Sequence, residues 1–109
     1  MALVLETAIA EQLARLGPEQ PSRLTGAVRA MSADLARDDI RPTLGQMVAS
    51  GALFRFGTIY GLPEQRAAFI TSQRRLLQEA RAKSRQTPDG SVRLQRAWAA
   101  LEDFAARSV

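Results

Sequence analysis

Ile40-Arg41-Pro42-Thr43-Leu44-Gly45-Gln46-Met47-Val48-Ala49-Ser50-Gly51-Ala52-Leu53 runs directly into Phe54-Arg55-Phe56-Gly57-Thr58-Ile59-Tyr60-Gly61-Leu62-Pro63. The hydrophobic period changes within this stretch. Ile40, Leu44, Met47 and Val48 recur at helical spacing and form one apolar stripe, which predicts a helix over residues 39–50. Asp38 or Asp39 can cap it, and Pro42 falls in the first turn, where a missing N–H costs little. Gly51 stands where a left-handed residue would end the helix. Beyond it, aromatic and β-branched residues flank Gly57-Thr58, the pattern of a β-hairpin with a tight turn, and Pro63 closes it.

Two helices are expected upstream. Leu5, Ile9, Leu13 and Leu16 are spaced 4, 4 and 3 apart and describe one amphipathic face that Gly17-Pro18 stops. After a polar loop to Pro21, a second helix is expected over residues 22–31, with Ser22 as its N-cap and Leu24, Val28 and Met31 inward. Residues 32–38 form a turn region with a short helical stretch around 33–36. Downstream, residues 64–85 return to helical spacing: Phe69, Ile70, Leu76, Leu77 and Ala80 lie on one side and Arg74, Arg75, Arg81 and Arg85 largely on the other. Gln86-Thr87-Pro88-Asp89-Gly90 is a breaker, and Ser91 then caps a last helix carrying Leu94, Trp98, Leu101 and Ala105.

The order is helix, helix, helix, hairpin, then two more helices. With Ile40, Leu44, Met47, Val48, Gly51 and Leu53 at their spacing, and Arg55 and Tyr60 in the hairpin, residues 3–63 resemble the winged helix-turn-helix DNA-binding domains of bacterial transcriptional regulators. The resemblance implies a mainly α fold with a small β-hairpin: a winged helix-turn-helix domain over 1–63 and a C-terminal helical extension over 64–109. It also implies a sequence-specific regulator of double-stranded DNA. Arg55 and Thr58 would then meet the backbone or minor groove from the wing.

The helix at 39–50 has the chemistry for such a role. A helix fits the major groove, where each base pair displays its own donor and acceptor pattern. Its outward face carries Arg41, Pro42, Gly45, Gln46 and Ala49. Arg41 can read guanine or grip phosphate and Gln46 can read adenine, while small Gly45 and Ala49 permit close approach and Thr43, at the margin, can reach a phosphate. The same residues also read as an ordinary solvated helix face, and Asp38 and Asp39 as caps rather than ligands.

Charge cuts across this picture. The chain of 109 residues has a formal net charge of +4, with fourteen arginines and a single lysine, Lys83. Residues 1–63 contain six arginines and six acidic residues, whereas residues 64–109 contain nine basic and five acidic ones. Affinity for DNA comes largely from neutralised phosphates, so a neutral reading head has little to spare. Arg74 and Arg75, with Arg81, Lys83 and Arg85, would add phosphate contacts if that helix lies beside the duplex; otherwise they are a solvated face. The other class consistent with the neutral head is a winged scaffold that binds another protein.

The remaining composition narrows the field. At 46% apolar and 24% charged residues, the chain has the balance of a globular domain. It has no cysteine and no histidine, which excludes disulfides, Cys or His zinc ligation and Cys or His nucleophiles and bases. No metal site, cofactor motif or phosphate loop stands out, no paired carboxylates form a catalytic motif, and no pocket motif supports a small-molecule effector. Met1 to Ala10 carry an acid and no basic stretch, unlike a signal peptide, and no apolar run is long enough for a membrane helix, so the expected location is the cytoplasm, on the nucleoid when DNA-bound. The apolar stripes of the last two helices must be buried. Phe69, Leu76, Leu94, Trp98 and Leu101 are the expected interface of a homodimer, which would set two reading helices about one DNA turn apart.

Overall fold

The computed structural model describes residues 4–83 and 88–107, with the side chains of 88–91 outside that description. The chain is mainly helical with one two-stranded antiparallel hairpin, and it divides into two compact units, Met1–Arg66 and Ala67–Val109.

In the first unit α1 (Leu5–Leu16), α2 (Pro21–Met31) and α3 (Arg41–Ala49) precede strands β1 (Phe54–Phe56) and β2 (Ile59–Gly61) and one 3₁₀ turn, Pro63–Gln65. Proline sets several starts. Pro21 stands at the first position of α2, Pro42 in the first turn of α3, Pro63 at the start of the 3₁₀ turn and Pro88 at the start of α5. Its fixed φ suits a first helical turn, and its missing N–H loses nothing there. For that reason α2 begins before Ser22, which therefore does not cap it. Gln20 occupies the N-cap without a side-chain bond. Likewise α5 (Pro88–Ala106) begins upstream of Ser91, and α4 (Arg66–Lys83) follows the 3₁₀ turn rather than starting at Glu64. Part of the expected breaker, residues 86–87, lies outside the described residues, as does Arg85.

The core of this unit joins all three helices and the hairpin. Ile9, Leu13, Leu24, Val28, Ile40 and Leu44 are fully buried in one cluster that also holds Ala8, Ala36, Met47, Leu53, Tyr60 and Leu62. Each such aliphatic side chain contributes about 1.5–3 kcal/mol by leaving water. α1 is the shared partner: both α2 and α3 pack most extensively against it. Leu16 and Met31, expected inward, remain 39% and 38% exposed because the stripe outruns the neighbours at the C-terminal ends of α1 and α2. The expected helical stretch at 33–36 is instead a turn, closed by Leu35 N donating to Ser32 O at 3.2 Å and by Arg29 Nε donating to Ala36 O at 3.2 Å.

The end of α3 is built as its glycine predicts. Gly51 has φ +84°, its N–H bonds Val48 O at 3.1 Å, and Ala52 N bonds Met47 O at 2.8 Å, so these two carbonyls near the end of α3 are satisfied while the chain reverses into β1. The hairpin pairs Phe54 with Gly61, Arg55 with Tyr60 and Phe56 with Ile59. Its two-residue loop has positive φ at Gly57 (+62°) and not at Thr58, the pattern of a glycine-first hairpin turn. A feature that hydrophobic spacing does not announce ties the hairpin down. Glu19, in the link between α1 and α2, exchanges both backbone bonds with Tyr60 at 2.9 Å, adding a third segment to the ladder. Gln65 completes the tie, donating to Leu13 O at 2.7 Å and accepting from Leu62 N at 3.0 Å.

The second unit contains α4 from Ala67 onward, and α5. Phe69 and Phe104 meet edge to face with ring centroids 6.4 Å apart, and Arg74 grips Glu102 through Nε–Oε1 at 2.7 Å and Nη2–Oε2 at 2.9 Å. Among the described residues no helix is long and apolar enough to cross a membrane.

Candidate nucleic-acid interface

The hairpin, the N-terminus of α2 and the N-terminus of α3 surround an open cleft of about 680 Å³. α2 contributes Pro21, Ser22 and Thr25, α3 contributes Arg41, and the hairpin contributes Arg55, Gly57, Thr58 and Tyr60. The bridge between Glu19 and Tyr60 explains the arrangement, since it fixes the hairpin directly beside the residues that open α2.

Two guanidinium groups stand at this cleft. Arg55 is paired across the ladder with Tyr60, lies 5.9 Å from the centre of its ring, and donates from Nε to Gly57 O at 2.9 Å. Arg41 is held by Asp39, whose Oδ1 and Oδ2 accept from its Nε at 3.0 and 2.9 Å and whose Oδ2 accepts from Nη2 at 2.7 Å. Asp39 Oδ1 also accepts the Arg41 backbone N–H at 3.0 Å, so the carboxylate supports the start of α3 from one residue outside its N-cap, Ile40. The two charges perturb one another. Arg41 holds the Asp39 carboxyl below its usual range through side-chain and then backbone hydrogen bonds, and Asp39 raises Arg41 chiefly through the side-chain bond. Among the described residues, Nη1 of Arg41 and both terminal nitrogens of Arg55 make no hydrogen bond.

The N-terminus of α2 adds a third element. It has no side-chain cap, so its first-turn N–H groups point from the helix start with the positive end of the helix dipole behind them. Ser22 and Thr58 place exposed hydroxyls nearby, while the Thr25 hydroxyl is turned back to Pro21 O at 2.8 Å. Two arginines, hydroxyls and an open helix start make the cleft chemically suited to an oxyanion such as a phosphodiester.

Arg41, Arg55 and Thr58, singled out from the sequence, are thus brought together. Gln46 is not with them. It is exposed on the opposite flank of α3 and lines a second depression of about 530 Å³ with Glu6, Thr7 and Ala10 of α1 and Met47, Ser50 and Ala52. Between the two flanks the outward face of α3 is Pro42, Gly45 and Ala49, all exposed, and an added Cβ at Gly45 would meet nothing within 4 Å. Thr43 is half-buried. Arg74 and Arg75 lie in the other unit. Arg74 is engaged by Glu102, and Arg75 approaches Glu79 at 3.8 Å with its side chain 80% exposed. Of the expected interface residues, Phe69 and Leu101 are buried, Leu94 and Trp98 are half-buried, and Leu76 stands 53% exposed.

Ser22, Thr25 and Tyr60 join the site without having been named as site residues from the sequence. Pro21-Ser22 does mark a helix start, and Tyr60 stands in the hairpin pattern, but neither signal places them beside Arg41. Among the described residues no group of three or more acidic side chains is placed to hold a metal ion. No family model matches the chain, and neither a curated protein nor a solved structure matches it.

Proposed function

We propose that the chain is a winged helix-turn-helix protein that binds double-stranded DNA as a transcriptional regulator, with α3 in the major groove and the hairpin beside it. The observation that carries this reading is the cleft where Arg41, Arg55, Thr58 and the open start of α2 converge. A phosphate seated there would accept from Arg55 and from the first turn of α2, which sets the register of the duplex without reading sequence. Pro42, Gly45 and Ala49 then face the groove floor with little bulk, allowing the α3 backbone close to the bases.

The proposal includes a homodimer formed through residues 64–109, where Leu76 and Val92 are exposed at 53% and 49%. Light scattering at high micromolar concentration checks it, and a monomer there refutes it. A second reading, a protein-binding adaptor on the same scaffold, draws on the electrical neutrality of residues 1–63 and the unadorned centre of the α3 face.

Selection from a random duplex library at low salt separates the two. Enrichment of a defined motif, with binding that weakens as salt rises, is the expected result. No duplex retention at about 50 mM salt overturns DNA binding and leaves the adaptor.

A further inference from the structure

Arg41 is an oriented side chain rather than a loose surface charge. Asp39 takes the edge of its guanidinium formed by Nε and Nη2, with three contacts between 2.7 and 3.0 Å. A guanidinium has two edges able to make paired hydrogen bonds. With the Nε–Nη2 edge committed, the edge left is Nη1 with the second hydrogen of Nη2. That end-on edge can meet O6 and N7 of guanine as two parallel bonds. The pair also sits at the right place: Arg41 is the first residue of α3, and N-terminal residues of a recognition helix meet base edges.

Asp39 therefore has two opposed effects on a duplex. It holds the fork, so less side-chain freedom is lost when the fork meets a base. It also carries a negative charge, 50% exposed and 2.7 Å from Arg41, which lines the cleft suited to phosphate, and that charge opposes binding to every sequence alike. Resting on the reading of α3 as the groove helix, we propose that Asp39 is a positioning residue that presents the end-on edge of Arg41 to guanine, so that it raises specificity while lowering general affinity. A residue that served only to cap α3 would not split these two quantities.

The test compares wild type, Asp39→Asn, Arg41→Ala and the double variant on duplexes differing at the selected guanine, at fixed salt. Asparagine keeps an oxygen for the Arg41 backbone N–H, so the cap survives while the charged grip is lost. Far-ultraviolet circular dichroism checks the fold. In wild type the guanine preference should be on the order of 5- to 150-fold, the range of one paired base contact. Asp39→Asn should lose most of that preference yet bind the non-guanine duplex as tightly as wild type or more tightly. Arg41→Ala should lose the same preference, and the double variant should lose no more. In the free protein, the Arg41 Nε–H proton resonance should be protected from exchange and become unprotected in Asp39→Asn.

If Asp39→Asn keeps the full preference while Arg41→Ala loses it, Arg41 reads without help and the role of Asp39 is overturned, with DNA reading intact. An unprotected Arg41 Nε–H in wild type also overturns it. If wild type binds no duplex, the DNA reading itself falls and this inference with it.

Discussion

Arg55→Ala isolates the phosphate-gripping part of the cleft. Binding that neutralises Z phosphates changes with salt with a slope of about −0.9Z on logarithmic axes for duplex DNA. Each cleft offers one cation free for phosphate, Arg55, because Arg41 is held by Asp39 and turned to a base edge, so the two clefts of the proposed dimer give Z of about two and a slope of about −1.8. Raising salt fourfold, from about 50 to about 200 mM, then weakens wild type by roughly twelvefold. Arg55→Ala removes the cation from both clefts, so the slope falls toward zero and the same change in salt costs little. Arg55→Lys keeps the charge while losing the Nε bond to Gly57 O, so its slope should stay near wild type. Fluorescence anisotropy of a labelled duplex across four salt concentrations measures all three slopes. A wild-type slope much steeper than −2 would assign further contacts to exposed Arg75, Arg81 or Lys83. An Arg55→Ala slope equal to that of wild type refutes the cleft as the phosphate seat.

Three further outcomes test the architecture. Leu24→Ala removes a fully buried side chain from the three-helix core and should cost about 2–5 kcal/mol, a large share of the roughly 3–10 kcal/mol expected for a unit of this size, so urea unfolding of the variant should begin at far lower denaturant; an unchanged midpoint contradicts the described core. Gly57→Ala and Gly61→Ala should both destabilise the hairpin for different reasons. At Gly57 the cost is backbone strain at φ +62° with open space around it, about 1–2 kcal/mol, whereas at Gly61 a Cβ would stand 2.5 Å from the Phe54 ring and must displace it, about 1–3 kcal/mol, visible as a shifted Phe54 ring resonance only in the second variant. Glu102 lies below its usual range because Arg74 hydrogen-bonds it, so the unfolded chain binds more protons below about pH 5. The contribution of that pair is in place above the ordinary carboxylate range and is lost as pH falls through the lowered value; exposure keeps it small, and Glu102→Gln should flatten the pH dependence of the urea midpoint between about pH 6 and 3. A variant curve parallel to wild type would sink the assignment.

Periodicity, proline and glycine located most local elements of this chain, although the helical stretch expected at 33–36 is a turn. Ile40, Leu44 and Met47 repeat at helical spacing and are buried, Gly51 ends α3 in the left-handed region, and Gly57-Thr58 turns the hairpin. These are legible because they depend on neighbours within a few residues. Helix starts were less so: Ser22 and Ser91 look like caps, yet proline upstream begins each helix earlier, since its φ is already helical. The outward arc of α3 was also legible, but not that Arg41 and Gln46 line separate depressions on its two flanks. That division depends on what packs beside each flank. The backbone bonds between Glu19 and Tyr60 join positions forty-one residues apart, and Gln65 reaches Leu13 across fifty-two, pairings that no local pattern encodes. The sequence by itself determined a mainly helical chain with one hairpin, a neutral N-terminal part and a basic C-terminal part. Only the tertiary structure decided that Arg41 and Arg55 share a cleft with the start of α2, that Asp39 orients Arg41, and that Arg74 is committed to Glu102, because a side chain's partners are set by long-range backbone pairing and packing rather than by spacing along the chain.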